Sequence, residues 1–240
     1  SIEIQEYLGS DIMMIFDDCP KPDSDYSRVL ESINRTKEWA NRSKKARKSD
    51  SKLFGIVQGG IYEDLRKTSL DHMLEIDFDG YAIGGLGLGE GQDKTYNITE
   101  QVCTMLPKDK PRYSMGIGKP EDIINSVERG VDIFDCVVPT RNARNGTLYT
   151  KDGKINIKNS TYNMSDKLID DDPNHPCFGY SIGYIRHLYT SKEISALSLM
   201  TMNNLYFYKQ LIESIKKSIK DGKFIDFKRN FLERYQNESN

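Results

Sequence analysis

Five short apolar runs constrain the fold of this 240-residue chain more than any other feature of its sequence. Each run is continuous rather than alternating, as expected for strands covered on both faces, and each ends in polar, glycine or proline residues. The runs are DIMMIFDD (11–18), KLFGIVQGG (52–60), YAIGGLGLGE (81–90), PRYSMGIGKP (111–120) and VDIFDCVVP (131–139). They predict five strands of a buried sheet.

Helical patterns separate these runs and predict a parallel sheet. One apolar stripe contains Tyr26, Val29, Leu30, Ile33 and Ala40, and the next contains Ile61, Leu65, Met73 and Leu74. A short helix near residues 120–129 joins the last two runs. Strand-helix alternation fits an open doubly wound sheet or a (β/α)8 barrel. Nearly every run ends in polar or glycine-rich residues that could serve a function. An open sheet concentrates such residues near one switch point, whereas a barrel carries them on all of its strands, so we expect the TIM-barrel type.

After Pro139 the pattern changes to a loop that holds Arg141 and Arg144, and then to a hairpin and helices. Asp152 and Gly153 form a turn signal between two β-prone segments. A polar, proline-broken loop follows at residues 166–179. A helical tail then keeps the 3.6-residue period through Leu205, Tyr208, Ile212, Ile215 and Ile219 until Gly222. We therefore predict a partial α/β barrel at residues 1–140 and a hairpin and helical subdomain at residues 141–240.

Composition places the chain among cytoplasmic proteins with a basic end. The net charge is −2, but residues 177–240 carry ten Lys/Arg against six Asp/Glu. The four cysteines lie far apart without a CxxC pair, which favours reduced thiols. No apolar run approaches the roughly 20 residues of a membrane span, so we expect no membrane partner.

The strand tips supply the candidate site, because in a barrel they all face one mouth. They are Asp17, Gln58, residues 84–90, residues 115–119 and Asp135. A carboxylate can accept two parallel N–H groups, an amide can meet a carbonyl, and glycines let backbone N–H groups approach a ligand. A methionine can cover a ring face. These groups predict a slot for a flat, hydrogen-bonding heterocycle.

Six ordered segments resemble the signature segments of the tRNA-guanine transglycosylase family. They are FDDCP, GIVQGG, YAIGGLGLGEGQD, MGIGKPEDI, VERGVDIFDCVVPTRNARNG and GKINIKN, and the similarity covers nearly all 240 residues. The resemblance implies a (β/α)8 barrel enzyme that exchanges the wobble guanine of tRNAs with a G-U-N anticodon for a 7-deazaguanine, either preQ1 or queuine.

The resemblance also assigns roles to residues. Asp135 matches the nucleophile that attacks ribose C1′, which suits a carboxylate because it stabilises the developing charge and forms a displaceable ester. Asp17 matches the reader of the base N–H edge, Gln58 and Gly85 match groups that meet the base carbonyl, and Leu86 and Met115 complete the base slot. The implied RNA-binding positions are Gly116, Ile117, Gly118, Lys119, Pro120, Glu121, Asp122, Thr140, Arg141, Asn142, Ala143 and Arg144.

The family's structural zinc site is altered in this sequence. Cys177 is the one ligand retained, while Asp172 and Asn174 stand at two cysteine positions and Asn203 at the histidine position. Asparagine is a poor zinc ligand, and one thiolate does not make a tetrahedral site. We therefore predict that zinc is lost or weak and that the chemistry needs no cofactor. Leu88 and Cys19 look like the bacterial type and favour preQ1 over the larger queuine.

Five strands are visible where a closed barrel needs eight, and the resemblance makes them strands 4 to 8. The chain is thus part of a longer protein, is completed by a second chain, or is a degenerate remnant. A homodimer is a further partner implied by the family. The alternative function is a non-catalytic tRNA-binding partner subunit, and a third is an unrelated barrel acting on small molecules.

Overall fold

A computed structural model describes residues 1–237, and the chain divides into two compact units. Unit 1 comprises residues 1–117 and 125–136, and unit 2 comprises residues 118–124 and the chain from residue 137 onward. The predicted boundary at 140/141 lies inside unit 2, because a helix that begins at Val138 packs against the long helix of that unit. Residues 238–240 of the predicted second domain lie outside the described residues.

Unit 1 is built on a curled, five-stranded parallel sheet. The strands are β1 (Ile12–Met14), β2 (Lys52–Val57), β3 (Gly80–Ile83), β4 (Arg112–Ser114) and β5 (Ile133–Phe134). They pair in chain order, β1-β2-β3-β4-β5. A doubly wound sheet reverses its order at a switch point, whereas this order continues in one direction as a barrel requires. The predicted partial (β/α)8 barrel is confirmed.

Helices connect the strands of this sheet, and the first crossover helices pack side by side. The helices up to β5 are α1 (Ile2–Tyr7), α2 (Tyr26–Ala46), α3 (Glu63–Ile76), α4 (Gln92–Met105) and α5 (Pro120–Glu128). Helix α2 begins after Asp25, whose side chain accepts a hydrogen bond of 2.8 Å from Arg28 N. Helix α2 packs against α3, and α3 against α4.

The buried stripe of α2 differs in part from the predicted one. Val29, Ile33 and Ala40 are buried, but Tyr26 and Leu30 are 44% and 38% exposed. The buried face instead includes small polar residues that bind the end of the β1 segment. Thr36 Oγ1, for example, accepts a bond of 3.0 Å from Asp18 N. A pattern that counts only apolar residues misses such positions.

In the second stripe, Leu65 and Met73 are buried within α3, and Leu74 packs against the core while partly buried. Ile61 precedes the helix and is 37% exposed. The core of unit 1 lies between sheet and helices and contains Met13 and Val57 among its fully buried side chains. No helix among residues 1–237 is both long and apolar enough to cross a bilayer.

The part of unit 2 from residue 137 onward begins with a helix where the sequence predicts a loop. Helix α6 spans Val138–Arg144 and has Pro139 in its first turn, where a proline is tolerated because no helical N–H is needed. The predicted hairpin is confirmed, with β6 (Thr147–Thr150) and β7 (Gly153–Asn156) antiparallel. A short 3-10 turn (Ser160–Tyr162) precedes α7 (Ile182–Thr190), α8 (Ile194–Lys220) and α9 (Phe224–Asn237).

The buried face of α8 differs in part from the predicted stripe and includes two asparagines, Asn203 and Asn204. Of the predicted stripe, Ile215 is buried, Tyr208 and Ile212 are half-buried, and Leu205 and Ile219 are half exposed. Asn204 is fully buried, and its Oδ1 accepts a bond of 2.9 Å from Tyr149 N. Its Nδ2 donates to the carbonyl oxygens of Pro139 at 2.9 Å and Thr147 at 3.0 Å. One side chain thus joins α6, β6 and α8.

Candidate functional site

The ends of the five parallel strands bring the predicted site residues of unit 1 to one edge of the sheet. Asp17 follows β1, Gln58 follows β2, Gly85 follows β3, Met115 follows β4 and Asp135 follows β5. Because the carboxyl ends of parallel strands lie at the same end of the sheet, these residues lie together at one end of the half-barrel. The other predicted RNA-binding positions, from Gly118 onward, belong to unit 2.

Asp17, which is half-buried, and Gln58, which is fully buried, form a polar pair. Gln58 is 1% exposed, and its Nε2 donates a hydrogen bond of 2.6 Å to Asp17 Oδ2. Burial raises the pKa of Asp17, although the bond from Gln58 opposes this effect. Among the described residues, nothing donates to Gln58 Oε1. A buried acceptor without a donor is costly unless a ligand or water supplies one.

Gly84 and Gly85 pass so close to Gln58 that a side chain at either position would collide with it. A Cβ on Gly84 would lie 2.6 Å from Gln58 Nε2, and one on Gly85 would lie 2.7 Å from Gln58 Oε1. Gly85 also has a φ of +66°, which favours glycine. Within residues 1–237, no group accepts from the N–H of Gly85 or of the buried Leu86. Two backbone donors and the Oε1 acceptor of Gln58 thus lack partners among residues 1–237.

The second aspartate of FDDCP has a different environment from the first. Asp18 Oδ1 accepts 2.6 Å from Arg28 Nη2, and its Oδ2 accepts 2.9 Å from Arg28 Nη1 and a further bond from Arg35. The hydrogen bond from Arg28 lowers the pKa of Asp18, and Arg35 adds to this effect. Asp18 is therefore structural, while Asp17 has no cationic partner among the described residues.

Glu90 organises the glycine-rich loop after β3, a role that the sequence analysis missed. Its carboxylate accepts from the N–H groups of Gly87 at 2.5 Å, Leu88 at 3.0 Å and Gly89 at 3.1 Å. Thr95 Oγ1 adds a bond of 2.6 Å. Burial would raise the pKa of Glu90, but these bonds outweigh it and lower the pKa. A carboxylate next to a glycine run is a usable signal for such local capping.

Asp135 has one occupied and one free oxygen. Its Oδ1 accepts from Tyr113 OH at 2.6 Å and from Gly116 N at 2.8 Å. No group in the described part of the chain donates to Oδ2, and the residue is exposed. The aspartate that interrupts the VDIFDCVVP run is therefore held at the sheet edge through one oxygen, while the other has no partner among the described residues.

Tyr113 is the second site residue that the sequence analysis missed. The β4–β5 register pairs Tyr113 with Ile133, two residues before Asp135. Side chains two residues apart in a strand share a face, so this register turns Tyr113 toward the face of Asp135. Burial and the bond to Asp135 raise the pKa of Tyr113, so its hydroxyl remains a donor at neutral pH. The two-residue period of a strand also puts Tyr113 on the same face as Met115, a predicted site residue. This spacing was the sequence signal that could have identified Tyr113.

The predicted RNA-binding residues between 117 and 122 differ in their exposure and in their contacts within the protein. Ile117 is buried in unit 1. In unit 2, the carbonyl oxygen of Gly118 accepts 2.6 Å from Tyr208 OH, and Glu121 pairs with Lys154 at 3.2 Å. Lys119 is exposed, Pro120 is buried and starts α5, and Asp122 is half-buried in its first turn.

Helix α6 presents two of its predicted RNA contacts to solvent and uses the others internally. Arg141 and Arg144 are exposed and lie three residues apart, hence on one side of the helix. Asn142 Nδ2 donates 2.6 Å to Tyr149 OH, Ala143 is buried, and Thr140 Oγ1 donates 3.3 Å to the carbonyl oxygen of Val137. The two arginines are thus the available cations of α6.

The four positions of the altered metal site are engaged in hydrogen bonds of unit 2. Asp172 accepts 2.6 Å from Tyr206 OH and 2.9 Å from Asn174 N. Asn203 Nδ2 donates 3.0 Å to the carbonyl oxygen of Tyr149. Cys177 Sγ lies 3.2 Å from the carbonyl oxygen of Leu199, and burial raises the pKa of this thiol to about 11. A single thiol together with amide and carboxylate groups already engaged in hydrogen bonds does not fit the tetrahedral site of a zinc ion.

The chain is similar to known proteins over its whole described length. Residues 1–237 match the family model described as Queuine tRNA-ribosyltransferase. A queuine tRNA-ribosyltransferase of Thermoanaerobacter sp. (strain X514) is 48% identical over 98% of this chain and 63% of its own length. One of Halothermothrix orenii is 45% identical over 100% of this chain and 65% of its own. One of Bacillus subtilis (strain 168) is 46% identical over 98% and 62%. The chain thus spans slightly less than two thirds of these curated relatives.

Proposed function

Because the chain belongs to the queuine tRNA-ribosyltransferase family, we propose that it supplies the base slot and nucleophile of an enzyme that exchanges a guanine of tRNA for a 7-deazaguanine. The observation that carries the proposal is the state of Asp135, whose Oδ1 is fixed by two donors while Oδ2 has no partner within residues 1–237. Because Asp135 is exposed and follows β5, this oxygen is accessible to a ribose bound at the strand tips.

The slot beside Asp17 suits a guanine-type base. An ionised Asp17 can accept two neighbouring N–H groups of the base, and the free N–H groups of Gly85 and Leu86 can donate to its carbonyl oxygen. Gln58 Nε2 now binds Asp17 at 2.6 Å, so it becomes available for the base carbonyl once Asp17 turns to the ligand. In this proposal Met115, which is half-buried and follows β4, covers the ring.

Asp135 then exchanges the base in two displacements. Its Oδ2 forms a bond to ribose C1′ as the bond from C1′ to the guanine nitrogen breaks, and the departing base keeps the electron pair and takes up a proton. The incoming base gives up its proton and attacks the same carbon, which releases the carboxylate. Two displacements retain the configuration of the sugar, as in retaining glycosidases. The target nucleotide must leave the base stack before it enters the slot.

An exchange assay tests the proposal. The protein is incubated with tRNA bearing the G-U-N anticodon and labelled guanine, and incorporation of label into tRNA is measured. Incorporation supports the enzyme. Binding of tRNA without incorporation supports the alternative, a non-catalytic partner subunit, which the occupied zinc-ligand positions favour. A protein that neither incorporates label nor binds tRNA would contradict both the enzyme and the partner subunit.

The base is expected to be preQ1 rather than queuine. Leu88 lies in the loop after β3 with 53% of its surface exposed, and its bulk leaves less room for the cyclopentenediol group of queuine. The same assay run with each base in competition with labelled guanine compares them directly. In this proposal the protein acts in the cytoplasm.

Arg144 is expected to contact an RNA phosphate. Replacing it with alanine should weaken tRNA binding and lower the slope of log affinity against log salt by about 0.7, the value for one phosphate contact on a single strand. Fluorescence anisotropy at several salt concentrations measures both quantities. Arg229→Ala is the control, because Arg229 is an exposed arginine of the same unit that pairs with Asp226. Equal affinity of the Arg144→Ala variant and the wild type would contradict this role.

We also propose that unit 2 is held together without zinc. His175 is 5% exposed and its Nδ1 accepts 3.0 Å from Cys177 N, so this histidine supports the loop instead of a metal. Purified protein should contain far less than one zinc per chain, and a chelator should leave its melting temperature unchanged. Cys177→Ser should alter neither result. A stoichiometric zinc whose removal lowers the melting temperature would refute the proposal.

A further inference from the structure

Arg66 of α3 is a completely buried cation directly behind the glycine pair of the base slot. Its guanidinium donates to four backbone carbonyl oxygens. They belong to Gly60 at 2.8 Å, Val57 at 3.0 Å, Gly84 at 2.7 Å and Gly85 at 3.3 Å. Among the described residues no carboxylate forms an ion pair with it. The four carbonyl dipoles therefore compensate the buried charge.

The bonds to Gly84 and Gly85 determine where the neighbouring N–H groups point. In a trans peptide, the C=O and the N–H of one plane point in opposite directions. When the carbonyl of Gly84 points to Arg66, the N–H of Gly85 therefore points away from Arg66. In the next peptide plane, the carbonyl of Gly85 points to Arg66 and the N–H of Leu86 points away from it. The positive φ of Gly85, +66°, allows both carbonyls to face one cation.

We propose that Arg66 is a positioning residue, which fixes the N–H groups of Gly85 and Leu86 toward the slot so that they bind the carbonyl oxygen of the base. This inference rests on the proposed function. The two N–H groups have no acceptor among the described residues, and they lie beside the unpartnered Gln58 Oε1. Without the arginine, these peptide planes could rotate and the slot would lose its preorganised donors.

An arginine is required for this arrangement because its planar fork supplies five donors in fixed directions. A lysine ammonium could replace only Nη1, which alone binds the carbonyls of Val57 and Gly84, and would lack the separate nitrogens that reach Gly60 and Gly85. Helix α3 is itself fixed against the loop, since a Cβ on Gly59 would lie 2.6 Å from Arg66 N. The position of the guanidinium is therefore set from both ends of the residue.

The chain contains a matched control at the opposite end of the sheet. Arg112, in β4, also donates to backbone carbonyl oxygens, at 3.3 Å from Gly130, 3.2 Å from Leu106 and 3.1 Å from Pro107. These groups precede the strands or lie at their amino ends, away from the site edge. Replacing Arg112 with lysine should destabilise unit 1 without changing the base slot.

The test compares Arg66→Lys with Arg112→Lys in melting temperature, tRNA affinity and binding of guanine and of 2-aminopurine, which lacks the carbonyl oxygen. Both variants should melt at lower temperature. We expect Arg66→Lys alone to weaken guanine binding about tenfold, to leave 2-aminopurine binding nearly unchanged, and to spare tRNA affinity. Arg66→Gln, which keeps a donor but removes the charge, replaces Arg66→Lys if the latter does not fold.

Two results would overturn the inference. Equal discrimination between guanine and 2-aminopurine in the Arg66 variant and the wild type would show that Arg66 does not orient the donors. An equal loss of guanine binding in Arg112→Lys would show that the effect is general destabilisation. A wild-type protein that binds no guanine would instead overturn the proposed function and the inference with it.

Discussion

Replacing Asp135 with asparagine is expected to abolish base exchange while leaving tRNA affinity largely intact. The amide cannot form the ester with ribose C1′, so exchange should fall by roughly 10³-fold or more, as when other nucleophiles are removed. Tyr113 OH and Gly116 N can still donate to the asparagine oxygen, so the local fold should persist. Label incorporation and tRNA binding measured on the same preparation separate the two effects.

Asp132→Asn is the matched control for this prediction. It makes the same chemical change three residues earlier in the chain, where Asp132 Oδ2 accepts 2.9 Å from Arg112 N at the other end of β5. This variant should retain exchange. Denaturing electrophoresis adds a direct readout, because the wild type should form an alkali-labile adduct with tRNA and Asp135→Asn should not. Exchange at wild-type rates by Asp135→Asn would refute the assigned nucleophile.

Replacing Asp17 with asparagine should weaken base binding and stabilise the protein at neutral pH. The loss of a charged acceptor should weaken guanine binding by about 10- to 100-fold, the range for hydrogen bonds to charged groups. Asparagine keeps an oxygen for Gln58 Nε2 and avoids burying a charge. Calorimetry of guanine binding and melting temperatures as a function of pH measure the two effects.

The pH dependence of this second effect has a definite sign. Burial raises the folded-state pKa of Asp17 above its unfolded value. Stability from this group is therefore fully present below the unfolded pKa and is lost as pH rises through the folded pKa. The advantage of Asp17→Asn should be seen near neutral pH and should vanish toward about pH 3. An equal or lower melting temperature at neutral pH would contradict the argument.

Asp18→Asn provides the control with the opposite sign. Hydrogen bonds from Arg28 and Arg35 lower the pKa of Asp18. Its contribution to stability is present above the unfolded pKa and is lost as pH falls through the folded pKa. Asparagine at this position should therefore destabilise the protein at neutral pH, while the same substitution one residue earlier stabilises it.

The sheet of unit 1 was predictable because its strands are buried on both faces. Runs such as KLFGIVQGG contain few polar residues, and the polar tips mark where each strand ends. The buried face of α8 was not predictable from apolar spacing, because Asn203 and Asn204 occupy it and bind backbone groups of the hairpin. Nothing in the local sequence distinguishes such asparagines from exposed ones.

The candidate site was predictable only where a residue lies at a strand tip. Asp17, Gln58 and Asp135 satisfy this condition. Tyr113 and Arg66 act through contacts between elements that are distant in sequence, such as the 22 residues between Tyr113 and Asp135. Helix α6 was predicted as a loop because Pro139 suggests an interruption, whereas in the structure it occupies the first turn of the helix.

The shared amide of Asn204 has a consequence for how α6 meets an RNA strand. Since this side chain ties Pro139, Thr147 and Tyr149 together, α6 inherits the stiffness of the interior rather than the mobility of a surface loop. Because Arg141 and Arg144 project from this rigid helix, less conformational entropy is lost when they bind the phosphates of an RNA strand. The gain in affinity arises because the conformational entropy of α6 is already lost on folding and is not lost again on binding.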